Sequence, residues 1–332
     1  MTVFFFQRKP FPNKNYSIEV LFNSIRAHLP STLQYRIIIS RYVNSGGLKK
    51  LYNILEILFK EQGDVNHITG DIHYIAFFMR KKRTILTIHD LNLLSSPSAI
   101  KRAIHRWFWL KIPVGRSQVV TVISQTTKAE VLKHSGCSPD KIRVIYNCIS
   151  SAFKPHPKDF NKKEPVILQV GTKPNKNLSR VIQALEGIPC RLEIIGKPTD
   201  DDLRLLEKHT INYGWEVNLT DEQVVQKYID CDMLVFVSTL EGFGLPIVEA
   251  NAIERPVITS NLSSMPEIAG EAAHLVDPYS IAGIRAGVMK VIQDEPYRAQ
   301  LIEKGKLNRQ RFMPETIADA YAQLYQEVAQ MY

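Results

Sequence analysis

Two carboxylates flank a glycine turn in residues 238–249, STLEGFGLPIVE. Glu241 precedes Gly242-Phe243-Gly244-Leu245-Pro246, and Glu249 lies three residues beyond the proline. Proline suits the first helical turn, where its missing N–H costs nothing. The two glycines let the backbone approach a ligand closely. The unpaired N–H groups and the dipole of a helix start form an anion site suited to a diphosphate. Glu249, about one turn inside that helix, can accept hydrogen bonds from ribose hydroxyls, and Glu241 on the loop can reach a sugar beyond the phosphates. Together they fit a nucleotide-diphosphate sugar. They also fit a plain strand–turn–helix with surface carboxylates, because a lone glycine loop carries little specificity.

Other chemistry-bearing positions lie at comparable places. Residues 166–170 form an apolar run that ends in Gly171-Thr172-Lys173-Pro174-Asn175-Lys176-Asn177. A strand, a glycine turn and a helix starting near Asn177 make a second anion site, with Lys176 able to neutralise a phosphate. A solvated lysine at a helix N-cap is the alternative. His89 ends the run 84–88 and is followed by Asp90. In an open α/β sheet that strand end faces the ligand crevice, although a satisfied structural histidine beside a helix cap fits as well. Residues 66–74, NHITGDIHY, offer Asp71 and His73 as acceptor contacts, unless Thr69 or Asp71 simply caps the next helix. Asn13 and Asn15, in the loop after the first strand, are further acceptor candidates.

The elements around these residues are α/β in pattern. Apolar runs at 3–6, 35–39, 85–88, 119–123, 142–146, 166–170, 191–195, 233–237 and 256–259 read as strands. Helical spacing at 17–28, 124–134, 177–185, 221–228 and 246–253 alternates with them, and 281–332 reads as all helix. Such alternation predicts parallel sheets covered on both faces. A length of 332 residues suggests about two domains, and the polar stretch 151–163 reads as the link between them. The expected division is residues 1–155, residues 156–312 and a C-terminal helix, 313–332.

Composition narrows the class. With 45% hydrophobic and 23% charged residues the chain is that of an ordinary globular protein. No apolar run approaches the ~18–20 residues of a membrane-spanning helix. The charges at Arg8 and Lys9 follow residues 3–6, the wrong order for a secretory signal. Cys137, Cys148, Cys190 and Cys231 have no pairing or metal spacing and suit reduced core thiols in a cytoplasmic protein. Residues 1–150 carry 22 Lys and Arg against 8 Asp and Glu, whereas the remainder carries 20 against 25. So basic a half implies an anionic partner. Residues 80–83 and 101–116, the latter holding Trp107, Phe108 and Trp109, fit peripheral contact with an anionic membrane at its cytoplasmic face. A helix whose aromatics enter the core fits equally. No recognition motif supports nucleic acid. Asp200-Asp201-Asp202 reads as a helix N-cap region rather than a cation site, so no metal and no cofactor are expected.

The segment 238–249 resembles the signature of the family 4 (group 1) retaining glycosyltransferases, in which a Glu-x7-Glu pattern surrounds a Gly-Phe-Gly-Leu-Pro-like turn. The resemblance extends through Met265-Pro266-Glu267-Ile268-Ala269-Gly270, Val276-Asp277-Pro278, residues 141–147 (KIRVIYN) and Thr87-Ile88-His89-Asp90. It implies the GT-B fold, two Rossmann-like domains with parallel sheets facing across a cleft: residues 1–155 would bind the acceptor, 156–312 the nucleotide sugar, and the helix 313–332 would pack back on the first domain. It further implies a retaining, metal-independent hexosyltransferase taking sugar from a UDP or GDP donor. The acceptor would be a hydroxyl of a glycan or lipid-linked glycan in bacterial surface polysaccharide synthesis, such as O-antigen or exopolysaccharide. Residue by residue, Glu241 would contact the donor sugar and support charge at its anomeric carbon, and Glu249 would hold the ribose. The turn Gly242, Phe243, Gly244 and Leu245 would hold the diphosphate, helped by Gly171, Thr172 and Lys176. His89 would lie near the reacting sugar, and the base near Gly196-Lys197 and residues 217–219. Thr172 and Asn175 stand where many members carry Arg, and residues 10–17 lack the family's frequent Gly-Gly pair. These departures leave a non-catalytic nucleotide-sugar- or glycan-binding relative as the alternative. A nicotinamide-dependent oxidoreductase is disfavoured because no GxGxxG follows the first strand.

Overall fold

The computed structural model describes residues 1–10, 17–91 and 98–331. It divides into two compact units, Met1–Cys148 with Pro314–Tyr332, and Ile149–Met313. Asn13 and Asn15 lie outside the described residues.

The first unit is built on six parallel strands: β1 (Thr2–Lys9), β2 (Gln34–Val43), β3 (Val65–Ile68), β4 (Thr84–Ile88), β5 (Val119–Val122) and β6 (Ile142–Val144). Their order is β2-β1-β3-β4-β5-β6. The chain therefore steps outward from β1 to β2 and then crosses back to β3 on the other side of β1. The strands β1, β4 and β5 are buried along most or all of their length because helices cover both faces of the sheet there, whereas the edge strand β2 is largely exposed. One face packs Phe5, Phe22 and Ile25 against the Pro314–Gln330 helix through Ile317, Tyr321, Leu324, Tyr325 and Val328. The other packs Phe6, Ile68, Ile75 and Leu110.

The second unit repeats the plan with β7 (Val166–Val170), β8 (Arg191–Ile195), β9 (Asn212–Glu216), β10 (Met233–Phe236), β11 (Val257–Ser260) and β12 (His274–Val276). The order is β12-β11-β10-β7-β8-β9, so progression reverses between β7 and β10, which pair in parallel. In an open α/β sheet ligands bind at the carboxyl ends of the strands where the order reverses. The loops that leave those two strands are 171–177 and 237–244.

Three strands lack the apolar signature that sequence reading relies on. β3, Val-Asn-His-Ile, is fully buried yet half polar. Its polarity is matched internally: His67 hydrogen-bonds the Tyr325 hydroxyl and Thr87 Oγ1, both at 2.7 Å. Burial pushes this imidazole down to about 3, so it is neutral. β9 is an edge strand, largely exposed, and needs little apolar content. β12 has only three residues. Beyond β3 the capping alternative is not realised. The short helix His73–Phe78 has Ile72 at its cap position, and the Thr69 hydroxyl donates instead to the Phe6 carbonyl at 3.3 Å. The acidic trio does open a helix, Asp200–Lys208, where Asp202 and Thr199 form a reciprocal capping box.

Candidate active site

The two loops at the β7–β10 reversal are stitched together. The Thr239 amide donates to the Asn175 carbonyl at 2.8 Å, and the Asn175 side-chain amide donates to the Leu240 carbonyl at 2.9 Å. Asn177, buried with left-handed φ of 62°, donates to the Val237 carbonyl at 3.1 Å and the Pro278 carbonyl at 2.7 Å. One asparagine thus ties together the segments that follow β7, β10 and β12. Asparagine is favoured on such a backbone because its short amide can hydrogen-bond locally.

Lys176 ends the 3-10 turn Pro174–Lys176. Its Nζ donates to Glu241 Oε1 at 2.6 Å and lies 4.6 Å from the Phe236 ring centroid. Both partners are largely shielded, with side-chain exposures of 19% and 15%. The lysine stem runs over Gly171, where φ is +88° and an added Cβ would come within 3.0 Å of Lys176 Cγ. Glycine is required there for the backbone conformation and for the close approach alike. Thr172 is committed elsewhere, its hydroxyl donating to the Lys197 carbonyl at 2.7 Å. Thr172 and Asn175, the two departures from the family's arginines, therefore serve as loop fasteners.

The glycine turn is buttressed from beyond β11. Ser263 Oγ accepts the Glu241 amide at 3.2 Å and donates back to the Glu241 carbonyl at 2.7 Å. Ser264 Oγ donates to the Phe243 carbonyl at 2.7 Å. The Phe243 side chain points into the core, edge-on to Phe312 at 5.6 Å. Gly244, at φ +108°, is the N-cap of the helix Leu245–Ala252. In its first turn Pro246 has no N–H and the Ile247 amide bonds the Gly244 carbonyl at 3.0 Å, so the Leu245 amide and the dipole make this helix start electropositive.

Glu249 sits on this helix, and its Oε2 accepts a 2.5 Å hydrogen bond from the Tyr228 hydroxyl. Tyr228 is fully buried on the helix Asp221–Asp230. Burial pushes the Glu249 carboxyl up to about 7, against the opposing effects of the Tyr228 hydrogen bond and the Lys176 charge. Tyr228, Asn177, Ser263 and Ser264 were not singled out by sequence. Tyr228 reads as an ordinary core aromatic on a helix face, and the serine pair has no sequence signal of its own.

In the first unit His89 follows the carboxyl end of β4. Its Nε2 lies 2.8 Å from the Thr69 carbonyl, which can only accept, so Nε2 carries the proton. Burial lowers its pKa; the neutral ring then presents Nδ1 as an acceptor. Gly70 passes so close that a Cβ there would lie 2.7 Å from His89 Cδ2. Asp71 is ion-paired with Arg8, which also bonds Glu19 at 2.8 Å. His73 is 5% exposed, its Nδ1 donating to the Trp109 carbonyl at 3.0 Å. Asp71 and His73 thus anchor neighbouring segments of the fold. A cavity of about 560 Å³ also occurs in this unit, lined by Thr2, Gln34, Arg36 and Asp64. It lies at the amino ends of the strands, away from His89, and holds none of the candidate groups.

Two family models together match residues 10–308: "Glycosyltransferase Family 4" over residues 10–153 and "Glycosyl transferases group 1" over residues 151–308. Among curated relatives, O-antigen chain mannosyltransferase B of Escherichia coli is 26% identical over 259 residues, 70% of this chain and 67% of that protein. The serotype-specific mannosyltransferase WbdA of Escherichia coli is 25% identical over 246 residues, 66% of this chain. That match spans only 30% of the length of WbdA. Among solved structures, HepE of Anabaena, determined with UDP and glucose, superposes with a TM-score of 0.77 at 16% identity. It covers 98% of this chain and 100% of that one, and the shared fold is GT-B. The glycine-turn helix, the paired carboxylates and the two family matches lead to one assignment: the chain belongs to the group 1, family 4 glycosyltransferases.

Proposed function

We propose that this chain is a retaining, metal-independent glycosyltransferase moving a hexose from a UDP or GDP sugar to a hydroxyl of a glycan or lipid-linked glycan in bacterial surface polysaccharide synthesis. The observation that carries this reading is the Lys176–Glu241 pair at 2.6 Å beside the glycine-capped start of the Leu245–Ala252 helix. Two mannosyltransferases among the relatives favour mannose as the hexose, and the UDP and glucose bound to HepE favour a nucleotide sugar as donor.

The diphosphate sits on the amides of Gly244 and Leu245, in the positive field of the helix end. Lys176 neutralises the departing phosphate, and with the helix end does the work a metal ion would otherwise do. Glu241, held by Lys176 and the Ser263 hydroxyl, orients donor hydroxyls and supports positive charge at the anomeric carbon. Glu249 accepts from ribose hydroxyls. His89 Nδ1 accepts from a sugar or acceptor hydroxyl, orienting it. In the reaction the bond from the anomeric carbon to the phosphate oxygen breaks. The acceptor oxygen bonds to the same face of that carbon, and its proton passes to the departing diphosphate.

We further propose a cytoplasmic enzyme in peripheral contact with an anionic membrane. No helix among the described residues is long and apolar enough to cross one. A panel of UDP- and GDP-hexoses, including GDP-mannose, incubated with the protein and a glycan acceptor tests the reading. Release of nucleotide with transfer of sugar at retained anomeric configuration is expected. Tight donor binding with no release from any donor would instead identify a non-catalytic sugar-nucleotide binder.

A further inference from the structure

The helix Gly47–Glu56 carries an apolar stripe on its outer side. Its apolar residues Leu48, Leu51, Tyr52 and Leu55 recur at helical spacing, as do Leu58 and Phe59 in the turn that follows, yet this stripe faces solvent. Leu48 and Phe59 are 85% and 88% exposed. The side facing the sheet carries Asn53, wholly buried, and Ile54, which packs on the core together with Ile57 just beyond the helix. Asn53 Oδ1 accepts the Tyr42 amide at 3.1 Å, and its Nδ2 donates to the Tyr42 carbonyl at 2.9 Å. That two-point bond to β2 fixes the rotation of the helix and so its outward apolar face. A helix that packs one apolar face on the core and leaves a second one open to solvent marks an interaction surface.

A second apolar face adjoins it. Lys50 Nζ lies 4.4 Å from the Trp109 ring, which brings the Gly47–Glu56 helix against the segment running from the helix Ala99–His105 into the π-helical turn Arg106–Lys111. Leu110 turns into the core, whereas Ile100, Ile104, Trp107 and Phe108 stay outside, Ile100 at 74% and Trp107 at 57% exposure. Interleaved with these faces are exposed Lys49, Lys101, Arg102 and Arg106. No Asp or Glu occurs anywhere from residue 91 to 129.

We propose that these two faces form one docking surface that seats on an anionic phospholipid bilayer. The apolar side chains enter the headgroup–acyl boundary, and the interleaved cations meet lipid phosphates. Charge selects this occupant: a second copy of the chain would set the same cations against one another, whereas an anionic bilayer neutralises them. The proposal deepens the membrane contact proposed above by naming its surface. It places the β2 side of the first unit against the lipid.

The test is sedimentation of the full chain with vesicles of phosphatidylcholine alone or mixed with phosphatidylglycerol. Tight binding only to the anionic vesicles is expected. The charge variant Lys101→Glu/Arg102→Glu/Arg106→Glu should weaken it by roughly a hundredfold. The apolar variant Leu48→Ser/Leu51→Ser/Leu55→Ser should weaken it by about tenfold or more. Trp107 fluorescence should shift to the blue on the vesicles and be quenched by brominated lipid, and Trp107→Phe should remove most of that quenching. Failure of the parent protein to bind, unaltered binding by both variants, or a dimer abolished by the same substitutions would overturn the proposal. Sugar transfer to a water-soluble acceptor, measured in parallel, should be unchanged in the variants. Its loss from the parent protein would count against the enzymatic reading and leave the lipid result standing.

Discussion

Lys176 and Glu241 form a 2.6 Å ion pair although 65 residues separate them, because β7 and β10 lie side by side where the strand order reverses. In the proposed reaction the lysine of this pair meets a phosphate and the carboxylate meets a sugar.

Glu241→Gln keeps the shape of the side chain and removes its charge. Transfer should fall by roughly 10²–10³, while the affinity for free nucleotide diphosphate changes little. Turnover with saturating donor and calorimetric titration with UDP or GDP give the two readings; undiminished turnover would exclude the role assigned to Glu241.

Lys176→Met removes the cation from the phosphate loop. Nucleotide-diphosphate affinity should drop by about tenfold or more, and turnover should drop with it. A loss confined to protein stability, with kinetics intact, would return Lys176 to a structural role.

Gly171→Ala tests the geometry behind that lysine. The left-handed backbone at this position costs an L-residue about 1–2 kcal/mol, and the new methyl would lie 3.0–3.3 Å from three carbons of the Lys176 side chain. The variant should melt at lower temperature and should lose donor affinity as Lys176 is displaced. Preserved donor affinity alongside reduced stability would show that the lysine can reach the phosphate by another route.

The Glu249 carboxyl, pushed up to about 7 from the usual 4.5, supplies a pH prediction. Its folded pKa lies above its unfolded one, so the folded protein keeps a proton that the unfolded chain releases between about pH 4.5 and 7. This group therefore lowers the stability of the free protein as pH rises through that window, and Glu249→Gln should flatten that part of the curve. Ribose hydroxyls donate to the anion, so nucleotide affinity should weaken as pH falls through about 7. The Tyr228 hydroxyl favours the anion, so Tyr228→Phe should move the inflection upward. Coincident inflections in the parent protein and in Tyr228→Phe would detach Tyr228 from the ribose carboxylate.

The proposed mechanism assigns the charge at the leaving diphosphate to Lys176 and the helix end, so transfer should survive exhaustive chelation with EDTA. Activity abolished by EDTA and restored by magnesium would overturn metal independence.

Much of this protein is readable from sequence because its information there is local. The buried strands Val166–Val170 and Met233–Phe236 announce themselves as β-branched and apolar runs. The glycine–proline helix start and the carboxylates at 241 and 249 lie within a single twelve-residue stretch. The α/β class follows from the alternation of elements, which is a property of neighbouring residues. Strands whose polarity is matched far along the chain are hidden: His67 in β3 is satisfied by Tyr325, 258 residues away. The same holds for the site's supports. That Tyr228 would meet Glu249, that Asn175 and Thr172 would fasten loops instead of contributing charge, and that Asn53 would turn a leucine stripe outward depend on which segments the sheet brings together. Those pairings are set by strand order and burial, and only the tertiary structure decides them.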